Sequence, residues 1–333
     1  MELTYKDFKS NQSVRWCPGC GDHAVIATLQ KAMAEIGVEP HNIAVVSGIG
    51  CSSRLPYYLS AYGFHSIHGR GAVIATGVKT ANPKISVWQA TGDGDCLAIG
   101  GNHFIHSVRR NVDINVLLFN NRIYGLTKGQ YSPTSPKGFI SKSSPNGTVE
   151  KAFLPAELTF GAGGTFFART LDVDADTAKT AMIAAHNHKG TSVVECLVNC
   201  VIFNHGTFAD IASKELRAEK TIVLEHGKPM IFGAENNRGL VLDGWNVKAV
   251  TIGENGVKES DILVHDAKNR DYTLQLKLAQ MQQPELPVAM GVIRDVEEES
   301  YEVALENQIA EVQQNSKIKT FDELIGTLEQ WEI

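Results

Sequence analysis

Apolar positions along this chain change period in a regular order. Val25, Ile26, Leu29, Met33 and Ile36 recur at the spacing of one buried helix face, and Gly37 follows as a stop. Ile43 to Ser47 is a short apolar run ending at Gly48-Ile49-Gly50-Cys51, which predicts an inner strand whose carboxyl end turns sharply. Residues 72–81 predict a helix, Ile85 to Thr91 a strand, Leu97 to Arg109 a helix, and Ile114 to Phe119 another buried strand. Val193 to Val198 adds one more strand and delivers Cys200 just beyond it. Buried strands alternating with helices predict an α/β fold with a doubly wound, mostly parallel sheet.

The pattern changes twice. Gly129 to Glu150 is rich in Pro, Gly and Ser and predicts a long irregular loop, of the kind that serves as a lid, a binding segment or an interface. Met230 to Phe232, Gly239 to Leu242 and Val247 to Ile252 read as short strands with Gly/Asn turns, a small antiparallel appendix. Helices close the chain. Tyr301, Leu305, Ile309 and Val312 share a face, and Thr320 with Glu323 forms a capping box before Leu324, Leu328 and Trp331. The expected organisation is a main domain over residues 1–220 and a C-terminal segment over 221–333.

Composition narrows the class. A chain of 333 residues with 43% hydrophobic content can bury an ordinary core. No apolar run approaches the roughly 18 residues that span a bilayer, and the first residues lack a signal-peptide pattern, so a soluble cytoplasmic protein without membrane attachment is expected. A net charge of −6 gives no field that favours nucleic acid. Six cysteines are few for a disulfide scaffold, and Cys17-Pro18-Gly19-Cys20 points toward metal or redox chemistry.

Gly92-Asp93-Gly94-Asp95 and Asn120-Asn121 fall at the ends of predicted neighbouring parallel strands, where open α/β sheets bind ligands. Gly92 and Gly94 let the backbone approach a diphosphate, and the helix beginning near Asp95 offers it free N–H groups. Magnesium takes hard oxygens: Asp93 can supply an anionic one, Asn121 a neutral one and the Ile123 carbonyl another. Gly-Asp-Gly alone is a common turn, and Asn-Asn a common loop tip. Together, in this βαβ setting, they resemble the thiamine diphosphate motif of thiamine-dependent enzymes, which implies Asp93, Asn121 and the Ile123 carbonyl as magnesium ligands.

Cys17, Cys20, Cys51 and Cys200 can converge because a doubly wound fold gathers strand ends on one side. Thiolates suit an iron–sulfur cluster or zinc. A Cys-X-X-Cys pair alone favours zinc; beside a thiamine site a redox cluster has a use, and the order reverses. Cys196 competes with Cys200 for the fourth position but sits inside an apolar run, the setting of a buried structural thiol, and Cys200 is preferred. Cys96 reads as a small packing residue at a helix start.

Trp16-Cys17-Pro18-Gly19-Cys20-Gly21, Gly48-Ile49-Gly50-Cys51-Ser52, His68-Gly69-Arg70, Gly92-Asp93-Gly94-Asp95, Asn121 to Gln130 and Asn199-Cys200-Val201 resemble, in order over about residues 14–210, the β subunit of 2-oxoacid:ferredoxin oxidoreductases. The details are most similar to the 2-oxoglutarate type. The resemblance implies oxidative decarboxylation of 2-oxoglutarate to succinyl-CoA and CO2, or the reverse carboxylation, with electrons passing through one 4Fe-4S cluster held by Cys17, Cys20, Cys51 and Cys200 to ferredoxin. It also implies a larger α subunit, often in an α2β2 heterotetramer, which supplies the glutamate facing the thiamine aminopyrimidine. Coenzyme A is the co-substrate.

By the same resemblance Gly50, Cys51, Ser52, His68, Gly69, Gly92, Asp93, Gly94, Asp95, Asn121, Ile123, Gly125, Leu126 and Thr127 bind the cofactor. Arg54, His68 and Leu126 are the candidate catalytic or substrate-facing residues. A planar guanidinium at Arg54 can hold the distal carboxylate of 2-oxoglutarate bidentately, a group pyruvate lacks; its bland reading is a surface or interface arginine. Lys128 and Gln130 open the long loop and face substrate or the α subunit. The competing readings are a pyruvate or branched-chain 2-oxoacid enzyme with the same machinery, and a non-catalytic, zinc-stabilised nucleotide-binding subunit.

Overall fold

Eleven strands and eleven α-helices form in the computed structural model, which describes residues 3–329 and 331. The strands are β1 (Ile43–Ser47), β2 (Tyr62–His65), β3 (Ser86–Gly92), β4 (Asn115–Asn120), β5 (Phe166–Leu171) and β6 (Ser192–Leu197), then β7 (Thr221–Leu224), β8 (Ile231–Phe232), β9 (Arg238–Asp243), β10 (Asn246–Thr251) and β11 (Val288–Asp295). The helices are α1 (Asp22–Ile36), α2 (Leu55–Tyr58), α3 (Gly71–Ala81), α4 (Gly101–Arg110), α5 (Pro155–Gly161) and α6 (Ala175–Asn187), then α7 (Ala209–Ala212), α8 (Lys214–Lys220), α9 (Thr273–Gln280), α10 (Tyr301–Asn315) and α11 (Phe321–Gly326).

The main sheet has eight strands in the order β2-β1-β3-β4-β6-β5-β11-β7. The first six are mutually parallel, as predicted; β11 runs antiparallel to β5 and carries β7 parallel to itself. Each inner strand is buried on both faces, so its side chains feed two cores alternately. Val116 and Leu118 pack with α3, α4, α5 and α9 on one side, while Leu117 and Phe119 pack with α1 and α6 on the other. From β1 the chain goes to one neighbour, β2, and then crosses to the other, β3, which opens a crevice at the carboxyl ends of β1 and β3.

Several elements depart from the apolar pattern. β2 is an exposed edge strand, so burial left no mark on its sequence. β5 carries Arg169, buried through its ion pair with Glu195 of β6 (2.7 Å), and this charge interrupts the run that would otherwise announce a strand. The helix expected from Leu97 opens earlier, as a π-helical turn over Asp95–Ile99 that leads into α4. The short antiparallel sheet β10-β9-β8 forms as predicted, but the expected boundary at 220/221 does not divide the sheets, because β7 and β11 belong to the main one. α11 has its Thr320/Glu323 capping box and ends at Gly326, short of Leu328 and Trp331. Ile309 and Val312 of α10 remain exposed, so that face is only partly covered. Among the described residues no helix is long and apolar enough to cross a membrane.

Candidate active site

A cavity of about 480 Å³ opens at the crevice between β1 and β3. Its walls come from the turn after β1 (Ile49, Gly50, Cys51, Ser52), the turn after β3 (Gly92, Asp93, Gly94, Asp95) and the loop after β4 (Asn121, Ile123, Tyr124, Gly125, Leu126, Thr127, Gln130), with His68 at the side. Of the cofactor-binding residues expected from sequence, Gly69 alone does not line it. Gly69 is buried against the π-turn instead: a Cβ there would sit 2.4 Å from the Gly100 nitrogen, and φ is +66°. Its glycine is required by this close backbone packing.

Asp93 is fully buried, and burial raises its pKa. Ser132 and Thr134, from the long loop, both donate hydroxyl hydrogen bonds to its Oδ2, and neither reaches Oδ1. Asn121 turns its amide oxygen onto the Ile123 N–H (3.1 Å), fixing the bend that sets the Ile123 carbonyl. Ser52 has a buried hydroxyl with no partner on the cavity wall, as does Asp22 with its Oδ2. Buried hydroxyls normally find a partner, so Ser52 fits an acceptor entering the cavity. An anionic carboxylate, a neutral amide oxygen and a free hydroxyl donor form a donor set suited to magnesium diphosphate.

Two expected cofactor residues have structural tasks. Asp95 accepts from the Ile49 N–H (3.0 Å) and the Gly69 N–H (2.7 Å) on Oδ1 and from Thr91 Oγ1 (2.9 Å) on Oδ2. Its carboxylate lines the cavity yet is spent holding the turns after β1 and before α3 to the end of β3. Gly94 makes room for an aromatic ring: a Cβ would lie 2.0 Å from Tyr124 Cε1. Gly92 is the glycine that leaves its surroundings open, with only Ser52 Oγ and the Phe119 carbonyl within 4 Å of such a Cβ. Ser132, Thr134 and Tyr124 were not singled out by sequence. The signal available for the first two was the Ser/Pro-rich composition of a loop too long to be a mere connection.

The cysteine loops are laced together. Trp16 Nε1–H donates to the Cys51 carbonyl (2.7 Å), and the Gly21 N–H donates to the Asn199 carbonyl (3.1 Å). Asp172 in turn accepts from the Asn199 N–H (2.8 Å). A Cβ on Gly125 would lie 3.6 Å from the Cys51 sulfur and 3.9 Å from that of Cys200, so both thiols flank one point of the cofactor loop. Burial, then Asp22, raises the Cys20 pKa, with smaller contributions from Cys51 and Cys200. Cys51 is pushed up to about 12 by burial, then by Asp22, Cys200 and Cys17. Cys20 and Cys51, disfavoured as thiolates by burial, suit a cationic metal group that stabilises the thiolate. Among the described residues no group of three or more His, Cys, Asp or Glu side chains is itself arranged around a metal position. Cys196 is fully buried in the core beside Phe119 and Thr170, and Cys96 is buried within the π-turn.

Arg54 lies outside the cofactor cavity, in an adjoining pocket of about 400 Å³ that shares Ile49, Gly50 and Leu126 with it. Arg15, His65 and Tyr57 also line this pocket. Leu126 is half-exposed between the two spaces, and His68 is exposed at the cofactor cavity.

Residues 48–196 match the family model "Thiamine pyrophosphate enzyme, C-terminal TPP binding domain", and this stretch contains the whole cavity wall except Asp22. The chain is similar to the 2-oxoglutarate oxidoreductase subunit KorB of Mycobacterium tuberculosis, with 46% identity over 91% of this chain and 81% of the relative. It is also similar to the β subunit of 2-oxoacid:ferredoxin oxidoreductase 1 of Aeropyrum pernix, with 46% identity over 63% of this chain and 64% of that one. Among solved structures, 2-oxoglutarate:ferredoxin oxidoreductase from Magnetococcus marinus, with 2-oxoglutarate, coenzyme A and succinyl-CoA bound, superposes with a TM-score of 0.78 at 28% identity, covering 98% of this chain and 97% of that one. With the thiamine cavity at its sheet switch point and this likeness along nearly its full length, the chain belongs to the β subunits of the 2-oxoacid:ferredoxin oxidoreductases.

Proposed function

We propose that this chain works with a larger α subunit, in an α2β2 assembly, as a 2-oxoglutarate:ferredoxin oxidoreductase. The reaction converts 2-oxoglutarate and coenzyme A to succinyl-CoA and CO2 and reduces ferredoxin, or runs in reverse as a carboxylation. Thiamine diphosphate supplies the carbon nucleophile and electron sink for such chemistry, and a 4Fe-4S cluster supplies the one-electron exit.

In this reading Asp93, Asn121 and the Ile123 carbonyl hold magnesium on the diphosphate, and Ser52 donates its unpartnered hydroxyl to an anionic oxygen. Ser132 and Thr134 keep Asp93 aimed by occupying its Oδ2. Cys17, Cys20, Cys51 and Cys200 hold the cluster, close to the cofactor because Cys51 lines the cavity and the Cys51 and Cys200 sulfurs both flank Gly125 of its wall. Leu126 walls the substrate's carbon chain, and His68 faces the reacting end. Arg54 takes the distal carboxylate in a charge-assisted fork.

One observation carries the substrate assignment. Arg54 forms no ion pair among the described residues, and its pocket joins the cofactor cavity through Ile49, Gly50 and Leu126. A free cation one pocket away from the reacting carbon suits a 2-oxoacid with a second carboxylate. The test is an anaerobic assay of the co-expressed α/β pair with 2-oxoglutarate, pyruvate, 2-oxobutyrate and a branched-chain 2-oxoacid. The highest kcat/KM is expected for 2-oxoglutarate, and a preference for any monocarboxylate would overturn the assignment.

A further inference from the structure

Residues at the carboxyl end of β4 alternate between two spaces. Asn121 and Ile123 line the cofactor cavity, whereas Asn120 and Arg122 line a separate hollow of about 190 Å³. Its other walls include Leu197, Ile211 and Met281 and the buried Arg169–Glu195 pair.

Arg122 is anomalous there. Its guanidinium lies 4.6 Å over the Phe208 ring, and among the described residues it has no carboxylate partner and no hydrogen-bond acceptor. Other buried arginines differ. Arg169 bonds to Glu195 and to the Ala279 carbonyl, and Arg294 to the Gly164 carbonyl and Gln275 Oε1. Arg122, Arg169 and Glu195 together leave the hollow with one net positive charge. Partly desolvated guanidinium donors facing an apolar wall are costly to leave unmet.

From these features we infer that the hollow is a binding site for a short aliphatic carboxylate. A single negative charge matches the net charge of the site, and the planar fork of Arg122 suits a carboxylate. The alkyl tail then meets Leu197, Ile211 and Met281. A phosphate dianion fits less well, because its second charge faces Glu195. The volume excludes a nucleotide.

Occupancy acts on the turn that carries Asn121. Arg122 has φ +56°, and its carbonyl accepts from Ser135 Oγ (2.7 Å) and Asn204 Nδ2 (3.3 Å), so its backbone is pinned between Asn121 and Ile123. A ligand engaging its side chain therefore shifts the affinity for magnesium thiamine diphosphate, and the reverse shift follows by linkage. The coupling rests on the magnesium reading of Asn121; the binding itself does not.

Saturation-transfer NMR with butyrate as probe, on the co-expressed complex loaded with thiamine diphosphate, tests this. Butyrate should bind saturably in wild type and in Arg54→Met, and at least tenfold more weakly in Arg122→Gln; methylphosphonate should bind more weakly than butyrate. Gln282→Glu, an exposed change at the mouth, should weaken butyrate several-fold and serves if Arg122→Gln does not fold. Wild-type butyrate binding should change magnesium thiamine diphosphate affinity at least twofold. Binding insensitive to Arg122→Gln and Gln282→Glu, or abolished by Arg54→Met, overturns the site. Binding without any change in cofactor affinity overturns the coupling, and the magnesium reading is checked separately by cofactor retention in Asp93→Asn.

Discussion

At the level of single residues, the chemistry of Arg54 and of the cysteines narrows what they can do. If Arg54 holds the distal carboxylate, Arg54→Met removes one desolvated charge-assisted contact. Such losses cost about 2–5 kcal/mol, roughly 30-fold to several thousand-fold in kcat/KM for 2-oxoglutarate. Pyruvate and 2-oxobutyrate should change little. An equal loss for all three would assign Arg54 to the cofactor or the subunit interface. For the cysteines, Ser at 17, 20, 51 or 200 should remove or cripple the cluster, while Ser at 96 or 196 should leave iron content and the brown colour of anaerobic protein intact. Iron in the Cys200→Ser protein at wild-type level would transfer the fourth ligand to Cys196. A colourless, zinc-loaded wild type would sink the cluster reading. Other roles stayed hidden at this scale because they depend on partners far away in sequence. Gly94 lines the cavity and also makes room for the Tyr124 ring, and Asp95 lines it while its oxygens hold the Ile49, Gly69 and Thr91 groups.

Strands and turns were legible where burial is two-sided. β1, β3, β4 and β6 announce themselves as apolar runs because helices cover both faces, while exposed β2 and charge-bearing β5 do not. The turns joining these strands to the site depend on Asp95. Asp95→Ala strips the acceptor from the Ile49 and Gly69 N–H groups, each costing about 1–3 kcal/mol when left buried and unmet. Because Ile49 leads into Cys51, this change should lower thiamine and iron content together. Asp93→Asn should separate them: removal of an anionic magnesium ligand weakens thiamine diphosphate binding and leaves the cysteine loops alone. Thiamine and iron assayed on the same preparations distinguish the two aspartates. Identical losses in both variants would mean that Asp93, too, is a scaffold residue.

Across the whole molecule, packing joins residues on both sides of the boundary expected near residue 220. Met230, Phe232, Leu240 and Ile262 around the small sheet share one core with Ile222 and Ala289 of the main sheet, so hydrophobic contact runs through the expected boundary. Turn residues between short strands hid this, since they mark local reversals and carry no information on which sheet a strand joins. His265 is one of the ties. Its backbone N–H donates to the Lys228 carbonyl (2.9 Å), and its Nε2 pairs with the Val292 carbonyl of β11 (2.9 Å). That contact makes Nε2 the protonated nitrogen of the neutral ring, and Nδ1 is buried with no partner. Burial, the largest cause, lowers the His265 pKa below its ordinary 6.5, because a second proton would charge an imidazole with nowhere to place it. Below that value the unfolded chain binds a proton that the folded one does not. The stability His265 contributes is therefore complete above about pH 6.5 and declines as pH falls toward the lowered folded value. The decline should be local. Hydrogen exchange, corrected for intrinsic rates, should lose more protection across β8–β10 than across β4 between about pH 7.5 and about pH 5.5. His265→Gln keeps a donor for the Val292 carbonyl and cannot titrate, so the excess loss should vanish. Its persistence in that variant would place the acid sensitivity elsewhere and leave His265 as packing alone.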